Sequence, residues 1–207
     1  MRKVLVCDHP LVQDKLASLR DKSTPPAAFR SLMAEISMLM GYEVLKGVAT
    51  SKGSVQTPLK RAPGRKISQP ICVAAVLRAG LGMADGLSRI VPQARFGHIG
   101  IYRNEANLEP VRYYVRLPAD LPESFTILAD PMLATAGTAI EAAQILKSGG
   151  AKKISLLCLL AAEAGVKRFH KAHPDVPVFT AALDPVLNSS GYIVPGLGDA
   201  GDRLFAT

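Results

Sequence analysis

Seven apolar residues in a row, Ile71–Leu77 (ICVAAVL), constrain this chain more than any other stretch. A strand with one wet face alternates apolar and polar side chains. An unbroken apolar run of strand length therefore predicts a strand buried on both faces, as in a parallel sheet covered by helices. Phe125–Ala129, Lys153–Leu160 and Val176–Leu183 read as further strands, with Lys3–Cys7, Phe96–Tyr102 and Val111–Leu117 as additional candidates. Helical patterns lie between them: from Pro10 to about Arg20, from about Ala27 to Leu45, up to about Ile90, from Ala139 to a stop at Gly149-Gly150, and Glu163–His173. Thr24-Pro25-Pro26 has the form of a helix start, with Thr as N-cap and proline in the first turn. Strands alternating with helices predict an α/β fold with a mainly parallel sheet.

At 207 residues the chain suits one sizeable domain, 1–207, and no composition break divides it. Apolar residues make up 48% and charged residues 20%, which argues against disorder. No apolar run approaches the ~20 residues that span a bilayer, and Arg2, Lys3 and Asp8 bracket too short an apolar run for a signal peptide. A cytoplasmic protein without membrane contact is expected. Cys7, Cys72 and Cys158 are odd in number and each sits in an apolar run, so they read as buried thiols rather than a disulfide or zinc set.

The formal charge of +8 favours anionic partners. The basic residues are dispersed and aromatics are only 5%, which disfavours nucleic acid and suits a phosphorylated small molecule. From Gly47 to Pro70, short alternating segments with Gly, Pro and several Lys and Arg predict a β-arm projecting from the body. His98, His170 and His173 have no partners that suggest a triad, and His9, a lone histidine before a proline turn, reads as structural or simply exposed rather than catalytic.

Four stretches carry chemistry. Phe125–Gly150 reads as strand, small-residue loop (Asp130–Thr138) and helix. The first N–H groups of a helix lack intrahelical partners and the macrodipole is positive there, so this unit makes an anion cradle. An ordinary βα connection capped by Thr has the same pattern. After Ile71–Leu77 comes Arg78-Ala79-Gly80-Leu81-Gly82, where a guanidinium fork at a strand's carboxyl end would hold an oxyanion. Gly80, Gly82 and Gly86 also make a loose dinucleotide-like spacing, disfavoured because the third glycine is displaced. The charged loop Arg103–Pro110 suits a lid, and equally a plain hairpin tip. Gly196, Gly198 and Gly201 match G-x-G-x-x-G, but only six residues follow Gly201 and no crossover unit can form. A loop whose main chain approaches a planar ligand explains them better.

Taken together, DPMLATAGT (Asp130–Thr138), LRAGLGM (Leu77–Met83), YRNE with EPVRYY (Tyr102–Glu105, Glu109–Tyr114) and YIVPGLGDAGDR (Tyr192–Arg203) resemble the uracil phosphoribosyltransferases, in order and over essentially the whole chain. The resemblance implies a type I phosphoribosyltransferase fold, with a hood that includes the C-terminal segment. It implies conversion of uracil and 5-phosphoribosyl 1-diphosphate to UMP and diphosphate in pyrimidine salvage.

By the same resemblance, Asp130 binds the ribose hydroxyls, Ala134, Thr135, Ala136, Gly137 and Thr138 hold the 5-phosphate, and Pro131, Met132 and Leu133 belong to the same donor site. Arg78 and Arg103 engage the diphosphate. Ile193, Gly198, Asp199 and Ala200 hold uracil, and Asp199 also reaches the donor. Mg²⁺ would ride mainly on the diphosphate, with no protein side chain assigned to it. A homodimer or larger homo-oligomer is implied, and GTP is an allosteric activator of some relatives, with no site assigned in this chain.

Two features depart from the wider superfamily. Asp130-Pro131 stands where many phosphoribosyltransferases carry paired acids, a signature typical of the uracil enzymes. Ala136 stands where glycine is usual, at a penalty of about 1 kcal/mol if the backbone there needs positive φ. An RNA-binding pyrimidine regulator of the same fold, and a transferase for another base, are the competing readings.

Overall fold

The computed structural model describes residues 4–103 and 110–207. Its centre is β4 (Ile71–Leu77), paired in parallel with β5 (Arg95–Arg103) on one side and β7 (Phe125–Ala129) on the other. Next to β7 come β9 (Lys153–Ala162), β10 (Val178–Asp184) and β1 (Val4–Val6), all parallel, and β6 (Pro110–Arg116) runs antiparallel on the far edge against β5.

The unbroken apolar runs are explained by what covers them. Val73 and Ala75 of β4 join a core under α1 (Pro10–Arg20), α2 (Pro26–Val44) and α3 (Gly80–Ile90). Cys72, Ala74 and Val76 join the opposite core, under α4 (Gly137–Ser148) and α5 (Glu163–Ala172). Both faces are dry, so alternation has no function there. Small strand residues let the helices sit close. Gly86 of α3 continues this on the helix side, where a Cβ would come within 2.2 Å of the Ala34 carbonyl of α2. The glycines of the Gly80–Gly86 stretch therefore serve packing: a Cβ on Gly80 would meet the Ala129 carbonyl and one on Gly82 the Met33 sulfur.

The predicted arm is present as β2 (Thr50–Gln56) and β3 (Arg61–Ile67), an antiparallel hairpin whose described pairing is internal. Two local expectations need correction. Thr24 does not cap α2: its hydroxyl donates to the Ser18 carbonyl, and α2 starts from the Pro25 carbonyl, which accepts from Phe29 N–H. His9 has the structural role expected of it, capping α1 by accepting from Leu11 N–H at 3.2 Å. The C-terminal segment does not stay a loop, since it closes in a short helix, α6 (Ala200–Phe205), capped by Asp199. All three cysteines are buried, and burial pushes the Cys7 thiol up to about 11 and Cys72 and Cys158 to about 12.

Candidate active site

The parallel strands share one carboxyl end, and the residues that follow them gather there, where open α/β sheets bind ligands. Beyond β7, Asp130 N–H donates to the Leu157 carbonyl at 3.1 Å, and the Pro131 carbonyl accepts from Leu159 and Leu160 N–H. Met132 and Leu133 form a two-residue strand, β8, against β9, so half of the expected loop is pinned to the sheet. The chain then turns through Ala136 at φ 66° and enters α4, which has no side-chain cap. The Thr-capped alternative is thereby set aside. The first N–H groups of α4 face outward without intrahelical partners, as an anion site requires. Alanine does adopt the left-handed conformation here.

Asp130 is half-buried, and burial raises its carboxyl from the ordinary value to about 7, opposed by the Met132 N–H aimed at Oδ1 from 3.5 Å. A carboxyl poised there accepts or releases hydroxyl hydrogen bonds with modest changes in its surroundings.

The second wall comes from the C-terminal segment. β11 (Val186–Leu187) and β12 (Ile193–Val194) make a small antiparallel hairpin, turned at Asn188, whose Oδ1 accepts from Ser190 and Tyr192 N–H. The main chain then runs through Gly196 at φ 58° and Gly198 at φ 81° to Asp199. Between the walls is a cavity of about 460 Å³ lined by Met132, Ala134–Thr138, Ile193, Gly198, Asp199 and Ala200 from the expected set, with Ala139, Ser190, Gly191 and Tyr192 added. The Asn-Ser-Ser-Gly run is a turn signature that sequence reading passed over.

Not every expected residue lines that cavity. Arg78 lies on the α6 side, its guanidinium 5.4 Å from the Phe205 ring and 3.6 Å from the Asp202 carboxylate, with both side chains more than half exposed. Such an open pair is weak, so Arg78 can exchange it for an anionic ligand. Asp130 and Pro131 follow β7 and Leu133 lies in β8, and none of the three lines the cavity. Arg103 closes the β5–β6 ladder opposite Pro110, and the expected lid, 104–109, lies outside the described residues. Among the described residues no three His, Cys, Asp or Glu side chains cluster as a metal site. Among the described residues no helix is long and apolar enough to cross a membrane.

A sheet in the order β1-β10-β9-β7-β4-β5-β6, parallel but for the β6 edge, with such a cavity over its carboxyl ends, is the fold of the type I phosphoribosyltransferases. Adenine phosphoribosyltransferase from Trypanosoma brucei superposes with a TM-score of 0.57 at 16% identity, covering 96% of this chain and 89% of its own. A protein from Aquifex aeolicus matches with a TM-score of 0.93 at 35% identity over 99% of this chain and 98% of its own. Residues 6–207 match the family model described as uracil phosphoribosyltransferase, and the chain belongs to that family. The uracil phosphoribosyltransferase of Dictyoglomus turgidum is 51% identical over 205 residues, 99% of each chain.

Proposed function

We propose that this protein joins uracil to 5-phosphoribosyl 1-diphosphate, giving UMP and diphosphate in pyrimidine salvage. The observation that carries this is a single cavity in which the uncapped N-terminus of α4 faces the glycine-turned main chain of Gly198–Ala200. One wall suits a phosphate and the other a flat base with alternating donors and acceptors.

On this reading Asp130 accepts from the ribose hydroxyls and the Ala134–Thr138 turn receives the 5-phosphate. Ile193 and Gly198–Ala200 seat uracil through main-chain groups, with Asp199 also turned towards the donor. Arg78 and Arg103 take the diphosphate. A bond forms between a uracil ring nitrogen and the anomeric carbon as the bond from that carbon to the diphosphate oxygen breaks, and the proton of the ring nitrogen passes to solvent or to the departing diphosphate. Charge builds on the departing diphosphate, so positioning and anion stabilisation are the main tasks of the protein. The scattered carboxylates suit a Mg²⁺ that arrives on the substrate phosphates, where it would neutralise their charge.

The internally paired β2–β3 hairpin favours a homo-oligomer, which sedimentation at graded protein concentration tests. GTP activation is tested by adding GTP to the assay. The decisive experiment compares turnover of uracil, cytosine and hypoxanthine with the same donor. UMP formation with uracil preferred is expected, whereas preference for another base, or salt-sensitive RNA binding without turnover, would refute the assignment.

A further inference from the structure

Arg20 is the last residue of α1 and lines no part of the cavity, yet it is tied to the loop that does. Its Nη1 and Nη2 donate to Asp184 Oδ2 and Oδ1, each at 2.7 Å, a two-pronged pair at the end of β10. Nη1 also donates to the Gly196 carbonyl at 2.7 Å, and Asp184 Oδ2 accepts from Gly196 N–H at 3.0 Å. The pair thus holds both main-chain polar groups of one residue. Gly196 stands at φ 58°, and a Cβ there would lie 2.1 Å from the Ile193 carbonyl, so no other side chain takes its place.

Arg203 of α6 works from the opposite direction. Its Nη1 donates to the Leu19 carbonyl of α1 at 2.7 Å and to Leu197 at 2.9 Å, and its guanidinium stacks 4.4 Å from the Phe29 ring. Gly196 and Leu197, the link between Ile193 and Gly198, are therefore fastened to the end of α1 from both sides. Burial alone would raise the Asp184 carboxyl. The Arg20 hydrogen bonds, the Gly196 N–H and the Arg20 charge outweigh it and hold the carboxyl below its ordinary value.

We propose that Arg20 and Asp184 are positioning residues for the base subsite: by clamping Gly196 they set where the main-chain groups of Gly198–Ala200 stand, and so how tightly uracil is held. This rests on the reading of Ile193 and Gly198–Ala200 as the uracil-binding wall. The donor wall hangs from β7 and β9 by its own backbone hydrogen bonds, whereas the clamp grips Gly196 of the opposite wall, so the two substrates should respond differently.

The test is steady-state kinetics of wild type, Arg20→Lys, Arg20→Ala and Asp184→Asn, with each substrate varied in turn and circular dichroism recorded alongside. Arg20→Lys keeps the charge but loses the fork, and Asp184→Asn keeps the shape. In both, KM for uracil should rise about tenfold or more, and KM for the donor, which this loop reaches only through Asp199, should rise by a clearly smaller factor. Guanidinium ion at a non-denaturing concentration should partly restore uracil use in Arg20→Ala and not in Asp184→Asn. Equal shifts in the two KM values, or none, would overturn the clamp, as would an unfolded Arg20→Ala beside a kinetically wild-type Asp184→Asn. Wild type that makes no UMP removes the functional reading and this one together, whereas turnover without the KM split removes the clamp alone.

Discussion

Asp130 shows how one residue's surroundings shape the pH response of the site. Burial raises its carboxyl to about 7, and on the proposed reading the ionised form accepts from the ribose hydroxyls about twice as strongly as the protonated one. For the free enzyme, kcat/KM for the donor should therefore rise with pH through about 7. Asp130→Asn should lose that limb and lower kcat/KM by about tenfold or more, the scale of a charged hydrogen bond of ~1.5–3 kcal/mol. A wild-type pH profile in the variant would remove Asp130 from the site. Ala136 poses a different balance. Glycine there relieves about 1–2 kcal/mol of left-handed strain. It also forfeits about 0.8 kcal/mol for a buried methyl and about 0.4–1 kcal/mol through a looser unfolded chain. The effects nearly cancel, so Ala136→Gly should leave Tm within about 4 °C of wild type in a thermal melt. Asp130 was legible in sequence because it follows an apolar strand and precedes proline. The left-handed Ala136 was legible only as a question, since its φ is set by how β8 and α4 are held apart.

Among the elements, α5 supports the phosphate wall although no motif marks it. Arg168 Nη1 donates to the Thr135 carbonyl at 3.1 Å, drawing negative charge from a carbonyl of the loop proposed to hold an anion. This exposed bond is worth about 0.5–1.5 kcal/mol. Arg168→Ala should raise the donor KM about two- to tenfold and leave the uracil KM unaltered, the mirror image of the Arg20 result. Equal changes for both substrates would show that α5 acts on the fold and not on the wall. Long elements were legible, since β4, β7, β9 and the helices between them declare their period. β8, β11, β12 and α6 were not, because two residues of strand or six of helix hold no period and exist only through their neighbours.

At the scale of the molecule, opposing carboxyls shape acid stability. Asp184 and Asp175 have lowered folded values, Asp175 through its Lys147 hydrogen bond, so their stabilisation is present above the unfolded value of 3.8 and is lost as pH falls below it. Asp130 has the reverse sign. Its folded value exceeds the unfolded one, so the folded state binds the extra proton and stability declines as pH rises from about 4 to about 7. Urea denaturation of Asp130→Asn should show a flatter dependence across that window than wild type, and an unchanged slope would contradict the burial of this carboxyl.

The sequence by itself determined the α/β class, the strand–loop–helix unit from Phe125 to Gly150, the arm and the family, because each is written in contiguous residues whose period, turn chemistry or motif is local. Only the tertiary structure decided how the two walls meet. Arg20 and Asp184 are 164 residues apart, and neither has a neighbour in sequence that hints at the other. Their pairing follows from α1 and β10 packing at the same end of the sheet. The loop of small residues from which the site was first read is therefore one wall of two, and the other is held in place by charges far from any motif.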